Sequence, residues 1–503
     1  MGTPVKEVMR RAEKADRRKD QWYSLYADCY KYALPQRNLY GGEYDSGIGE
    51  GRKKMHEVFD STAIASTQRF SNRVQSALFP PARNWCRLQA GTEIPPELRS
   101  EVELSLDEIT NRFFDVLHQT GFDLAISEFL LDLCVGTGVM LVLPGDHETP
   151  IRFQAVPQFL VSIEEGAHGA VDNVYRKMRI RADIIERQWP DAKLSTRIER
   201  IIETSPEKEV LLLEATIRND DGIYEYFVID KKDKVVLVER EMEVSPWIVA
   251  RYTKVAGEIY GRGPLTTALP DIKTLNLVKE LILQNASIAV AGMYTAADDG
   301  VINIQNISIK PGAIIPVARN GGPQGESLRP LKSATDFNVA QLVTKDLVAS
   351  IKKTLLDDTL PPETQSARSA TEVAERLKEL WQNLGSAFGR LVTECLIPLV
   401  IRCLFVLNEQ NIIDLPVRVD GRLIKVVPVS PLAQAQEMED LENILQFVQI
   451  LGPQGQVAIN QDALLQTVAR KLGVPQELIN TPEEREAVIE GMREAMEPQG
   501  GMV

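Results

Sequence analysis

The 503-residue sequence contains no G-x-x-x-x-G-K-[ST] loop, so an ATP-driven motor has no support in it. The pairs Gly136/Gly138 and Gly261/Gly263 lack the third glycine of a dinucleotide fingerprint, and no cofactor is expected. No G-x-S-x-G elbow offers a serine nucleophile. Histidine is scarce: His56, His118, His147 and His168 lie far apart, without an H-E-x-x-H pattern or a cysteine at ligand spacing, so no metal site is expected. The five cysteines, Cys29, Cys86, Cys134, Cys395 and Cys403, are scattered and mostly set among apolar residues. They read as reduced thiols of a cytosolic product, not as a disulfide framework or a zinc site. Long apolar runs are missing as well. "FLLDLCVGTGVMLVL" and "CLIPLVIRCLFVL" are too short to span a bilayer and are interrupted by Asp132 and Arg402, so no membrane span is expected. The stretch "MGTPVKEVMRRAEKADRRKD" is charged throughout and has no apolar run of signal-peptide type, so secretion is not expected. An excess of positive charge is also absent. With 57 basic and 71 acidic residues the net charge is −14, which excludes a chain whose whole surface grips phosphates. Any contact with nucleic acid is then local.

What is present is a large globular chain, 44% hydrophobic and 25% charged, long enough for roughly three or four folding units. Residues 1 to about 135 read as helical, with Phe70, Val74 and Leu78 on one stripe and Val102, Leu106, Ile109, Phe113 and Val116 on another. A further stripe, Phe122, Ile126, Phe129 and Leu133, follows a turn at Gly121. In "LFPPARNWCRL", Pro80 and Pro81 stop a helix because neither donates a backbone N–H, and Trp85 anchors a corner leading into an extended segment. From about 138 to 255 the period changes to that of strands, in "VMLVL", "VLLLEATI", "YEYFVID", "KVVLVER" and "WIVARYT", which predicts a mostly antiparallel β region.

A helix restarts with Pro264 near its first position and carries Leu265, Leu269, Ile272, Leu275, Val278 and Ile282; Pro270 is expected to kink its first turns or delay its start. Short strands between 293 and 332 precede a second helix, with Ser333 and Asp336 spaced for capping and Val339, Val343, Leu347, Ile351 and Leu355 in a row. Residues 357–368 form a polar loop that Pro361 and Pro362 keep from being helical. Ser369 and Glu372 then cap the longest helix, which Pro398 is expected to bend. Strand-like pieces near "LPVRVDG" and "IKVVPVS" and helices over 432–451 and 461–496 follow, before a short flexible tail. The fold class is α+β.

The aspartate pairs Asp220/Asp221, Asp298/Asp299 and Asp357/Asp358 each fall in a predicted turn or helix end, where turn chemistry explains them. No residue is assigned a catalytic role. Basic residues flank the polar loop: Lys345, Lys352 and Lys353 before it, and Arg368 after it. Taken singly they read as a solvated helix face. In a ring whose loops face the axis, each would become a circle of charges placed to meet phosphates.

Four phrases, "QRFSNRVQSALFPPARNWCRL", "YGRGPLTTALPDIKTLN", "SATEVAERL" and "VSPLAQAQ", occur in this order between about residue 60 and 436. Together they resemble the portal, or head-to-tail connector, proteins of short-tailed, podovirus-type phages. The resemblance implies a structural, non-enzymatic protein of the virion: a homo-dodecameric ring at one capsid vertex, made in the host cytoplasm, through which double-stranded DNA is packaged and ejected. It also implies partners, namely a terminase motor, a tail adaptor, and capsid and scaffolding proteins. Element by element, it implies a wing over 1–260, stem helices over 261–290 and 335–356, and a clip over 291–334. A tunnel loop over 357–368, including Asp357, Asp358, Pro361 and Pro362, then precedes the channel helix and wing return over 369–430, a crown over 431–496 and a tail over 497–503. On that reading Pro80, Pro81 and Trp85 form an architectural corner, and Lys345, Lys352, Lys353 and Arg368 touch DNA in a channel whose wall is otherwise acidic. A metal-dependent enzyme acting on nucleic acid through an aspartate pair, and a non-viral helical adaptor, are the alternatives; ring formation separates them.

Overall fold

Stripes of apolar residues at helical and at alternating spacing set where the chain coils and where it extends. The computed structural model describes residues 3–40, 55–81, 83–291, 294–296, 328–330, 337–357, 385, 387–415, 423–429, 464 and 468. The chain opens with helices α1 (Val5–Asp20), α2 (Tyr23–Ala33) and α3 (Thr62–Leu78), strand β1 (Cys86–Ala90), and helices α4 (Pro96–His118) and α5 (Phe122–Val135). Strands β2 (Thr137–Pro144), β3 (Ile151–Ala155), β4 (Val161–Glu165) and β5 (Val171–Arg181) come next, then short helices α6 (Ile185–Gln188) and α7 (Thr196–Thr204). Strands β6 (Glu209–Arg218), β7 (Tyr224–Asp230), β8 (Val235–Met242) and β9 (Trp247–Arg251) lead into the long helix α8 (Pro264–Ala291). Strands β10 (Tyr294–Ala296) and β11 (Leu328–Pro330), helices α9 (Phe337–Thr354) and α10 (Ile397–Glu409), and strand β12 (Ile424–Pro428) complete the described elements. Two compact units result, one of residues 1–22, 69–263 and 359–503, the other of residues 23–68 and 264–358.

The first unit holds the β region, and every pairing in it is antiparallel. β4-β5-β6-β7-β8 form a five-stranded meander and β3-β2-β9 a three-stranded sheet, while β1 pairs with β12. Alternation splits the meander into two buried faces. Val210, Leu212, Tyr226 and Val228 face a core with Ile185, Trp189 and Ile198. Leu213, Ala215, Ile217, Phe227 and Ile229 face α1 through its Val8, Ala12 and Ala15. Both faces being covered explains why "VLLLEATI" reads as a nearly unbroken apolar run.

Helix α1 is fastened along the sheet by its own polar residues. Arg11 donates to Glu164 at 2.9 Å, the Ser162 hydroxyl donates to Asp16, and Lys19 Nζ donates to the Phe159 carbonyl at 2.7 Å. Burial pulls the Lys19 ammonium down to about 8, against the opposing pull of Asp16 and Asp20. Between pH 8 and the ordinary lysine range the unfolded chain therefore binds more protons at this position, and stability rises with pH. We expect wild type to gain stability relative to Lys19→Met as pH rises from about 8 to about 10, in denaturant melts at each pH; a difference independent of pH would contradict this.

The second unit pairs α8 with α9 and adds α2 and residues 55–68. Leu265, Leu269, Ile272 and Leu275 of α8, Ile351 of α9 and Leu355 just after it are buried. Buried Asn276 is satisfied on both sides: Phe59 N–H donates to its Oδ1 at 2.7 Å, and its Nδ2 donates to the Glu57 carbonyl at 3.1 Å. Helix α8 begins at Pro264 and runs through Pro270, so the expected delay does not occur. β10 and β11 pair antiparallel between α8 and α9; the rest of 292–336, with Ser333 and Asp336, lies outside the described residues, as do residues 369–384 and, apart from 464 and 468, the helices expected after 431.

After residue 385 the chain differs from the sequence expectation in one feature and adds detail to it in another. Residues 387–409 form one helical stretch, long and apolar enough to cross a membrane by length and composition. However, 56% of its most apolar window is buried in the fold, and Arg402, 2% exposed, donates to the carbonyls of Val142 and Val244 at 3.3 Å. It is a core helix. At Pro398 the backbone answers the missing N–H with a π-turn, Val392–Leu396, just ahead of it.

Candidate nucleic-acid interface

Of the basic residues singled out from the sequence, Lys345 lies midway along α9 and Lys352 and Lys353 in its last turn. Lys345 and Lys353 are exposed and Lys352 is half-buried. Seven residues apart, Lys345 and Lys352 share one helix face about 10 Å apart along the axis, with Lys353 about a quarter-turn away. None of the three makes an ion pair among the described residues. Lys352 and Lys353 also lie in the last turn, where a cation is favoured by the helix carbonyls, and this accounts for them without any ligand. Arg368 lies outside the described residues.

The helix ends in a two-bond cap. Leu356 N–H donates to the Lys353 carbonyl at 3.1 Å and Asp357 N–H to the Lys352 carbonyl at 2.7 Å, with Leu356 at φ +57°. A leucine in the left-handed region costs about 1–2 kcal/mol, and burial of its side chain offsets this. Asp357 is 7% exposed and accepts the Ser66 hydroxyl at 2.8 Å. It is thus an anchor for the last residues before the polar loop, and not a solvated turn residue. Asp358, Pro361 and Pro362 lie outside the described residues.

Asp220 and Asp221 occupy the β6–β7 turn, which Asn219 Oδ1 closes by accepting Ile223 N–H at 2.9 Å and Gly222 completes at φ +85°. Asp298 and Asp299 lie outside the described residues. All four histidines are exposed, and all five cysteines are buried and free. Among the described residues no group of three or more His, Cys, Asp or Glu is placed to hold a metal ion.

At the corner, Pro80 is buried and Pro81 exposed. Trp85, 1% exposed, lies edge-on to Phe79 at 5.0 Å and Phe114 at 5.3 Å, and stacks on Phe122 at 5.9 Å. Its carbonyl accepts Val429 N–H at 2.8 Å, beside the β1–β12 pairing.

Sequence reasoning missed a buried, multiply charged site. Arg251, 1% exposed on β9, donates to Glu394 through Nε at 3.1 Å, Nη2 at 2.6 Å and its backbone N–H at 3.0 Å. It also donates to Glu165, to the Gly169 carbonyl at 2.9 Å and to the Ile259 carbonyl at 3.2 Å. Lys254 adds a second cation to Glu165, and Arg390 a second to Glu394 at 2.8 Å. The available signal was an arginine inside the apolar run "WIVARYT" and a glutamate inside an apolar helix stripe.

The family model for bacteriophage head to tail connecting protein matches residues 5–479, and the chain belongs to this family. It is 25% identical to the probable portal protein of Bordetella phage BPP-1, over 92% of this chain and 86% of that one. It is 21% identical to the portal protein of Escherichia phage T7, over 85% and 79% of the two chains, and 19% identical to that of Enterobacteria phage T3, over 92% and 86%. A chain in the virion of a native gene transfer agent particle aligns over 90% of this chain and 98% of its own, at 12% identity, with a TM-score of 0.33, too low to carry an argument.

Proposed function

We propose that the chain assembles into a dodecameric ring at one capsid vertex, through which double-stranded DNA is packaged and ejected and to which the terminase motor and the tail attach. The observation that carries this reading is membership of the head-to-tail connecting family over 5–479. In the ring, α8 and α9 serve as the stem, residues 291–334 as the clip, residues 357–368 as the tunnel loop and residues 431–496 as the crown. The net charge of −14 suits such a conduit, because an acidic wall with a few basic rings lets DNA slide where a basic wall would hold it. Lys345, Lys352, Lys353 and Arg368 supply those rings.

Native mass spectrometry with negative-stain class averages tests the assembly: a ring near dodecamer mass with a central hole is expected, and a monomer or dimer overturns the reading. For the contacts, Lys345→Ala/Lys352→Ala/Lys353→Ala is expected to leave the ring intact and lower packaged or retained DNA by about threefold or more, since the local phosphate-neutralising charge is lost. Unchanged packaging would remove these lysines from the channel.

A further inference from the structure

The chain carries a second line of positive charge, on the outward side of α1. This helix buries Val8, Ala12 and Ala15 against the five-stranded sheet and turns Arg11, Asp16 and Lys19 toward it as fasteners. The opposite side is left with Lys6, Arg10, Lys14, Arg17 and Arg18, all exposed. At 3.6 residues per turn, Lys6, Arg10, Lys14 and Arg17 fall within an arc of about 80° and extend about 16 Å along the axis. Of these five, only Arg10 has a carboxylate partner among the described residues, Glu7 at 2.7 Å. Exposed Glu13 and Asp20 lie together on one flank of the arc.

We propose that this ridge is a docking surface for the sugar–phosphate backbone of double-stranded DNA. A protein partner needs an apolar centre to bury, in which aromatic and Met residues stand beside any arginine anchors; the outward arc has arginines but no aromatic, Met or aliphatic residue beside them. A polyanion needs only charges in a row on a rigid support, and α1 is held rigid by the sheet beneath it. Arginine supplies a planar fork that matches phosphate. Val5–Asp20 itself contains no Asn or Gln to read adenine edges, and the recognition proposed is of the phosphate backbone, independent of sequence. In a chain of net charge −14, such a ridge is a local exception, and Glu7 and Glu13 keep its grip weak. The inference rests on the portal reading only for the presence of DNA around the protein.

The test is fluorescence anisotropy of a labelled duplex of about 30 bp with the full chain, between about 50 and about 200 mM salt. Wild type is compared with Lys6→Gln/Arg10→Gln/Lys14→Gln/Arg17→Gln, with the partial variant Arg10→Gln/Arg17→Gln, and with the α9 triple-alanine variant. The expected result is a loss of affinity of about tenfold or more in the fourfold variant, an intermediate loss in the partial one, and a log–log salt slope reduced by about 3.6. The α9 variant should keep most of the binding. Equal binding by wild type and the ridge variants, or no binding by wild type, overturns the inference while leaving ring formation untouched. Unchanged DNA binding with failed ring assembly would overturn it in favour of an acidic surface on a neighbouring copy. A monomer that binds DNA through the ridge would sink the portal reading and keep this one.

Discussion

Arg251→Met is expected to destabilise the first unit by about 3–5 kcal/mol, the range for removing one member of a buried ion-pair network. The arginine is 1% exposed, and its guanidinium and backbone N–H meet two carboxylates and two carbonyls. Methionine fills much of the same volume, so the loss isolates charge from packing. Glu165 keeps Lys254 and Glu394 keeps Arg390, which places the loss toward the lower end of the range. Arg251→Met combined with Glu394→Gln should recover part of it, because the stranded carboxylate is then neutral. Equilibrium denaturation of the four proteins of that cycle measures the coupling. A single-variant loss below about 1 kcal/mol would mean that water reaches the site and the hub carries no weight.

The reach of this network shows what sequence could and could not reveal. Stripes such as Phe70, Val74 and Leu78, or Phe122, Ile126, Phe129 and Leu133, are local, and all seven residues are buried. Pro264 at the start of α8 and the strand runs from 138 to 255 were legible for the same reason: neighbours a few residues apart decide them. Trp85 was legible as core because a buried indole has few other uses, although its partners Phe114 and Phe122 were not. Arg251 and Glu394 are 143 residues apart, and no local pattern pairs them. Pro270 does not delay the helix, because tertiary packing of Leu265, Leu269 and Ile272 holds it from Pro264 onward. At the candidate interface Lys345 was legible as a helix residue and Lys352 and Lys353 as a helix end, whereas the burial of Asp357 against Ser66 depends on a contact 291 residues distant.

Gly261→Ala is expected to lower stability by about 3 kcal/mol, at the top of the range for overpacking, and to depress soluble yield. The glycines of 136 and 261, which on sequence alone were only an incomplete nucleotide fingerprint, are where two backbones touch. A Cβ on Gly261 would stand 2.2 Å from the Gly136 carbonyl oxygen and 2.9 Å from Arg251 Cβ; one on Gly136 would stand 2.1 Å from the Gly261 oxygen. Neither obstacle is the end of a flexible side chain, so relief requires the strands to part. Parting them strains several bonds at once: Gly261 N–H to Thr137 Oγ1 at 2.9 Å, Gly263 N–H to the Val135 carbonyl at 2.9 Å, and Tyr252 N–H to the Gly136 carbonyl at 2.9 Å. The same movement shifts Arg251, so the two predictions are coupled, and the double variant Gly261→Ala/Arg251→Met should lose less than the sum of the two singles. Gly121→Ala supplies the contrast. Nothing lies within 4 Å of its added Cβ and its φ is −77°, so only the modest N-cap preference for Gly over Ala is lost and its melting temperature should fall far less than that of Gly261→Ala. If Gly261→Ala melts with Gly121→Ala, the chain at 261 moves away from 136 at little cost, and the close approach is not what holds residues 261–263 beside residues 135–137.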